Sequence, residues 1–358
     1  MKNGLIISLT ISIIIILSII AFQISRPNYS PSKKITCNTI AYNGEGKSSI
    51  LFFASEKTSK QYYNELFSYP PFNKIEEFNA YYTEEPVNCS LYKNTALLCN
   101  SKSIIQKAAS CPSDYIIVIK DESPDIRSST YSNILSLNNQ NSQKVIVHEF
   151  GHAFASLADE YVPASLPKNS KNCAKNCDSF EKNSCFDGCS KSELFRSIDS
   201  GIMRSLSAKS FGSFDESIIN SKIAKMTSKV TGNVVSDQQN DCENQKYYLI
   251  EGNYSDGNIE ISNQSLEHGC AGKYDEGEFN YSLVTNANKA ISSNQININI
   301  IFTDIQNQET LEGGSEQYSG PFTIRLPYNE ETNKLLISYD GKTKQINLQN
   351  PTYIPCPA

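Results

Sequence analysis

His148-Glu149-Phe150-Gly151-His152 places two imidazoles four residues apart, with a carboxylate beside the first. On a helix, residues four apart share a face, so His148 and His152 can each offer a nitrogen to one metal ion. Glu149 can then reach a water at that ion and take its proton as the water attacks a carbonyl, which is the chemistry of zinc-dependent peptide hydrolysis. The chain has three histidines and two fall in this pattern, which weighs against a chance arrangement on a surface helix. The third, His268, lies beside Gly269-Cys270 in a strand-rich region and reads as a surface or packing residue.

A zinc site of this kind needs a third protein ligand. The nearby carboxylates are Asp159 and Glu160, in Ala158-Asp159-Glu160-Tyr161. On an unbroken helix Asp159 would share the face of His152 but lie about 10 Å further along the axis, beyond the reach of one ion. If Asp159 is the ligand, the helix must break near Ala155–Leu157 and the chain must turn back. Otherwise Asp159 and Glu160 merely end the helix, or support a histidine from behind.

The elements that must position these groups follow from periodicity. Ser48 to Ala54 reads as a buried strand, and Ser55 opens a helical pattern through Tyr62, Tyr63, Leu66 and Phe67 that Pro70-Pro71 stops. Phe78–Tyr82 and Tyr115–Ile119 read as further strands, Ser103–Ala109 as a short helix, and Ser128–Leu137 as an edge strand whose Thr130–Leu137 stretch is open to an extended peptide. The histidines fall on a helix over residues 143–157, flanked by the apolar Val145-Ile146-Val147, Phe150, Phe154 and Leu157. A long Cys-rich loop and a last helix, 214–230, follow. Strands alternating with helices indicate an α/β layer. After about residue 236 strand-like runs recur between turns, as in an all-β, sandwich-like module.

The stretch His148–Tyr161 resembles the active-site signature of the IgA-peptidase family of zinc metallopeptidases, which are metzincin-like. Ser200-Gly201-Ile202-Met203-Arg204-Ser205 is similar to the methionine-containing turn of such enzymes, and weaker likeness runs over about residues 48–230. The resemblance implies a metzincin-like zinc peptidase fold, a mixed sheet with helices. It implies His148, His152 and Asp159 as zinc ligands, Glu149 as the catalytic base, and Met203 packed beneath the metal. Without it, Met203 reads as an ordinary core residue. The chain departs from the family pattern at Ser156, where glycine, the residue that turns a helix at least steric cost, is usual. Ala54-Ser55-Glu56 also replaces the Gly-rich acidic turn common after the first strand.

The compartment comes from the N-terminus and the cysteines. Leu5 to Phe22 carries no charge and at helical rise extends about 27 Å, close to the hydrocarbon thickness of a bilayer. No small-residue cleavage site follows, so residues 1–24 read as a signal-anchor helix rather than a cleaved signal. The expected organisation is that anchor, a linker over 25–46, a zinc peptidase domain over 47–235, and a β-sandwich-like domain over 240–358. The remaining chain then lies outside the cell, where the eleven cysteines can form disulfides. Cys173, Cys177, Cys185 and Cys189 have Cys-x3-Cys spacing, which favours two disulfides over a second zinc. The formal net charge of -6 and the lack of a basic block argue against a nucleic-acid partner.

These readings converge on a membrane-anchored zinc endopeptidase that hydrolyses peptide bonds of extracellular proteins, or a secreted form of it after signal cleavage. The alternative from another class is a surface binding or adhesion protein that keeps the same scaffold without the catalysis.

Overall fold

The structure is a computed structural model and describes residues 35–164, 166–181, 184–228, 241–255, 257–306 and 310–348. The first part of the chain forms β1 (Asn38–Ala41), β2 (Ser48–Phe53), α1 (Glu56–Leu66), β3 (Phe78–Thr83), β4 (Ser90–Tyr92), β5 (Ala96–Leu98), α2 (Lys102–Ala108), β6 (Tyr115–Lys120), β7 (Ser128–Tyr131), β8 (Ile134–Asn138), α3 (Val145–Ala155), β9 (Phe186–Cys189), β10 (Lys191–Arg196) and α4 (Ser213–Ser228). The rest forms β11 (Lys246–Ser255), β12 (Asn258–His268), β13 (Phe279–Val284), β14 (Ala290–Ile296), β15 (Asn299–Gln306), β16 (Thr310–Gln317), β17 (Gly320–Pro327), β18 (Lys334–Tyr339) and β19 (Lys342–Asn347).

The largest sheet has eight strands in the order β1-β3-β2-β6-β8-β7-β15-β16. Its centre is parallel: β2 pairs with β3 and β6, and β6 with β8. Every residue of β2 is buried, as expected of a central parallel strand covered on both faces. Alternation divides those faces. Ile50 and Phe52 join Tyr62 of α1, Phe150 and Phe154 of α3 and Ile219 of α4 in one core. Leu51 and Phe53 join Ile104 and Ile105 of α2 and Tyr247 and Leu249 of β11 in the other. Helix α1 starts where the sequence says: Ser55 caps it by accepting the Thr58 N–H, and its buried face is Ser59, Tyr62, Tyr63 and Leu66.

The expected fold class is not what the chain forms. Among the described residues it is mostly β, nineteen strands in five sheets against four α-helices, and it does not resolve into an α/β metzincin-like layer followed by a separate sandwich-like module. The main sheet is completed from the C-terminal half, where β15 pairs antiparallel with β7 through Ile300↔Tyr131, Ile301↔Thr130 and Phe302↔Ser129. Two further sheets, β12-β11-β17 and β14-β13-β18-β19, share a core of Tyr248, Ile250, Phe279, Tyr281, Ile324 and Leu335. Local periodicity tells which face of a strand is buried; it does not tell which distant strand it pairs with. For the same reason residues 128–137 do not form an open edge strand. They fold back as the β7–β8 hairpin, with β6 on one side and β15 on the other.

Among the described residues no helix is long and apolar enough to cross a membrane. The expected anchor, residues 1–24, lies outside the described residues. The stretch read as a linker contains β1, which pairs with β3, and Cys37, which bonds to Cys111.

Candidate metal centre

Helix α3 lies almost wholly buried, with every residue from Val145 to Ala155 buried except Ala153. Its apolar side is locked by Phe150 and Phe154, which stack on each other and meet the edge of Phe72. That packing carries His148, Glu149 and His152 into the interior at 0–1 % exposure. Burying such groups is unfavourable unless each polar atom finds a partner.

Each imidazole has one nitrogen satisfied by a backbone carbonyl. His148 Nδ1 lies 3.0 Å from the Ile202 carbonyl oxygen, and His152 Nδ1 lies 2.6 Å from that of Leu157. A carbonyl only accepts, so in the neutral rings the hydrogen sits on Nδ1 and the lone pair on Nε2. The two Nε2 atoms are 3.0 Å apart, and Asp159 Oδ1 lies 3.1 and 3.2 Å from them. Three acceptors therefore converge in a buried space with no donor among them. Bonds of about 2.0–2.2 Å to one tetrahedral ion put ligand atoms roughly 3.3 Å apart, close to these separations. The buried His148, His152 and Asp159 form a group that can hold a metal ion. The charge balance points the same way. Burial alone would raise the Asp159 carboxyl; protonated imidazoles of His148 and His152, standing in for an ion at the centre, hold that carboxyl well below the usual carboxylate range. Burial opposes charge on His152, and the Asp159 carboxylate outweighs it and pushes that imidazole up. The cluster favours positive charge at its centre.

Asp159 reaches the histidines because the helix breaks at Ser156. Ser156 adopts φ 51° and ψ 36°, the left-handed region, and its N–H donates to the His152 carbonyl at 3.0 Å. One left-handed residue at a helix end reverses the chain direction. A serine does here what glycine does more cheaply. The Glu160 N–H then donates to the Met203 carbonyl at 2.8 Å, pinning the returned chain.

Glu160, the other carboxylate considered as third ligand, points elsewhere. Burial pushes its carboxyl up to about 8, against the opposing pull of Arg196, Asn172 and Arg204. It neighbours the buried Asp215, which burial and Glu160 together raise well above its ordinary range. His268 is exposed at the end of β12.

Met203 is fully buried under α3. A Cβ on Gly151 would lie 2.8 Å from Met203 Sδ and 3.0 Å from Phe211 Cε1, so the turn approaches the helix at the position where it has no side chain. The Ile202 and Met203 carbonyls bind His148 and the Glu160 amide respectively. The turn thus braces both the ligand helix and the returning chain.

Thr130 of β7 was not legible as a site residue. Its hydroxyl donates to Glu149 Oε2 at 2.6 Å, fixing the carboxylate next to the first ligand. Only the sheet register brings it there. The cysteine loop carries disulfides: Cys173 bonds to Cys189 and, nested inside, Cys177 to Cys185. Cys37–Cys111, Cys89–Cys99 and Cys242–Cys270 complete five bridges, and Cys356 lies outside the described residues.

No protein-family model matches the chain, and no curated protein is significantly similar to it.

Proposed function

We propose that the chain is a zinc metalloendopeptidase that cleaves proteins or peptides outside the reducing cytosol. The observation that carries this reading is the convergence of His148 Nε2, His152 Nε2 and Asp159 Oδ1 on one buried point, with Glu149 adjacent in sequence to the first ligand. The donor set, two neutral imidazoles and one carboxylate, suits Zn²⁺. The resemblance of His148–Tyr161 to the IgA-peptidase signature supports the same ligand set and peptide bonds as substrate. Five disulfides support an oxidising compartment.

Bound zinc would supply a Lewis acid that polarises a carbonyl and acidifies a water. His148 and His152 are held in the correct tautomer by the Ile202 and Leu157 carbonyls. Glu149, oriented by Thr130, takes the proton of the attacking water and passes it to the leaving amine. A cleft of 360 Å³ reaches Ser156 and Leu157 on one side and Gln295 and Ile301 on the other, beside the loop that supports His152.

One observation favours the second reading, a non-catalytic binding protein on the same scaffold. His148, Glu149, His152 and Asp159 are all 0–1 % exposed, and β15 pairs along the outer edge of β7, the strand whose Thr130 bonds Glu149. Metal analysis of the purified chain, with digestion of an unfolded protein such as casein by wild type and Glu149→Gln, separates the two. The peptidase reading expects one zinc in both proteins and a loss of about 10²–10⁴-fold in hydrolysis for the variant. Bound zinc with no hydrolysis above background in either protein leaves the binding reading, and equal hydrolysis above background in both removes Glu149 as the base.

A further inference from the structure

The chain that carries Asp159 back to the histidines has no regular secondary structure. Two side chains hold its backbone. The Asn172 carboxamide takes both polar groups of Ala158: the Ala158 N–H donates to Oδ1 at 2.7 Å, and Nδ2 donates to the Ala158 carbonyl at 2.9 Å. The Ser190 hydroxyl donates to the Asp159 carbonyl at 2.7 Å. Both residues are buried, Asn172 at 0 % and Ser190 at 1 %. A carboxamide is suited to this double contact because it presents a donor and an acceptor side by side.

Asn172 and Ser190 come from the two ends of the cysteine loop, and the residues next to them, Cys173 and Cys189, are bonded to each other. The outer disulfide therefore ties together the two side chains that grip residues 158 and 159. Ser190 is itself left-handed at φ 60°. The inner bridge, Cys177–Cys185, closes the far end, where Asn176 caps the Asp178 N–H.

We propose that the Cys173–Cys189 bridge, through Asn172 and Ser190, is a positioning clamp for the third metal ligand. By fixing the backbone on either side of the Asp159 Cα it keeps Oδ1 within bonding reach of the ion that His148 and His152 share. The clamp sets metal affinity, and the inner bridge only stabilises the loop. The inference rests on the metal-centre reading and extends it to residues that touch no metal.

The test is zinc affinity of the full chain by competition with a chromogenic chelator, well below the melting temperature, with Tm recorded alongside. Asn172→Ala and the pair Cys173→Ser/Cys189→Ser should each weaken zinc about 10- to 100-fold, the range for groups that orient ligands. The pair Cys177→Ser/Cys185→Ser should lower Tm and leave zinc affinity within about twofold of wild type, since it frees no group that grips Asp159. Wild-type affinity in Asn172→Ala and in the outer-bridge variant, or equal weakening by both bridge variants, overturns the clamp while the metal centre stands. A wild-type chain that binds no zinc overturns the metal centre and the clamp together. Should the outer-bridge variant fail to fold, Asn172→Ala decides alone.

Discussion

The Nε2 atoms of His148 and His152 face each other at 3.0 Å, each in a ring whose other nitrogen is already bound to a backbone carbonyl. Two lone pairs so placed beside a buried carboxylate call for a cation. On the proposed reading the folded state binds that ion and the unfolded chain largely does not, so occupancy should stabilise the fold. At free zinc about 1,000-fold above Kd the gain is about 4 kcal/mol. Thermal melts with and without a strong chelator should show a lower Tm in the stripped chain, restored by zinc. A His152→Ala variant should melt at one temperature under both conditions.

Ser156 sets whether Asp159 returns at all. Its left-handed backbone is strained for an L-residue by about 1–2 kcal/mol. Ser156→Gly should leave zinc affinity unchanged and stability equal or higher. Ser156→Val, β-branched at positive φ, should destabilise by at least that amount and weaken zinc. Chemical denaturation with zinc titration measures both.

Gly151 is required by Met203. A methyl group at 151 would press on Met203 Sδ at 2.8 Å and Phe211 at 3.0 Å. Gly151→Ala should cost about 1–3 kcal/mol of overpacking strain. The double variant with Met203→Ala should recover part of it, so the two effects are not additive. A double-mutant cycle in denaturant that came out strictly additive would show that the turn and the helix do not press on each other.

On the peptidase reading, Thr130 orients the proposed base. Thr130→Val keeps the shape and deletes the hydrogen bond to Glu149 Oε2. A hydrogen bond to a charged group contributes about 1.5–3 kcal/mol, so kcat should fall about 10- to 100-fold with KM little changed. Thr130→Ser should restore most of the rate, and zinc content should stay at wild type in both variants.

Asp215 and Glu160 give the fold a pH signature. Burial first, and then each other's proximity for Asp215, raise both carboxyls, Glu160 to about 8. Between the ordinary carboxylate range and those raised values the folded chain keeps protons that the unfolded chain has released. Their contribution is therefore complete on the acid side and is lost as pH rises toward about 8. Asp159, shifted the other way, contributes stability that is lost only as pH falls below its ordinary range. Asp215→Asn should flatten the decline in stability as pH rises above the ordinary carboxylate range, measured by denaturation across a pH series.

What the sequence shows of this site is what lies close along the chain. Two histidines four apart on an apolar helix, the cap at Ser55 and the need for a break before Asp159 are all local patterns. The break falls at Ser156, a non-glycine residue in the left-handed region, which no local preference for glycine would have picked out. Asn172 and Ser190 could not be singled out: they act on residues 14 and 31 positions away, and both types are common in this chain. Thr130 became a site residue only through the pairing of β7 with β8 and the packing of α3 on that hairpin. The observed fold departs from the expected α/β layer for the same reason. The partner of β7 is β15, and nothing in either strand's own alternation names the other.

The most direct test is X-ray absorption at the zinc edge on the purified, zinc-loaded chain. One zinc is expected, with a shell of nitrogen and oxygen at about 2.0–2.2 Å that includes two imidazoles, and it should be lost in Asp159→Ala. A sulfur shell at about 2.3 Å, which would put the metal among the cysteines, or a chain that retains no zinc, would contradict it.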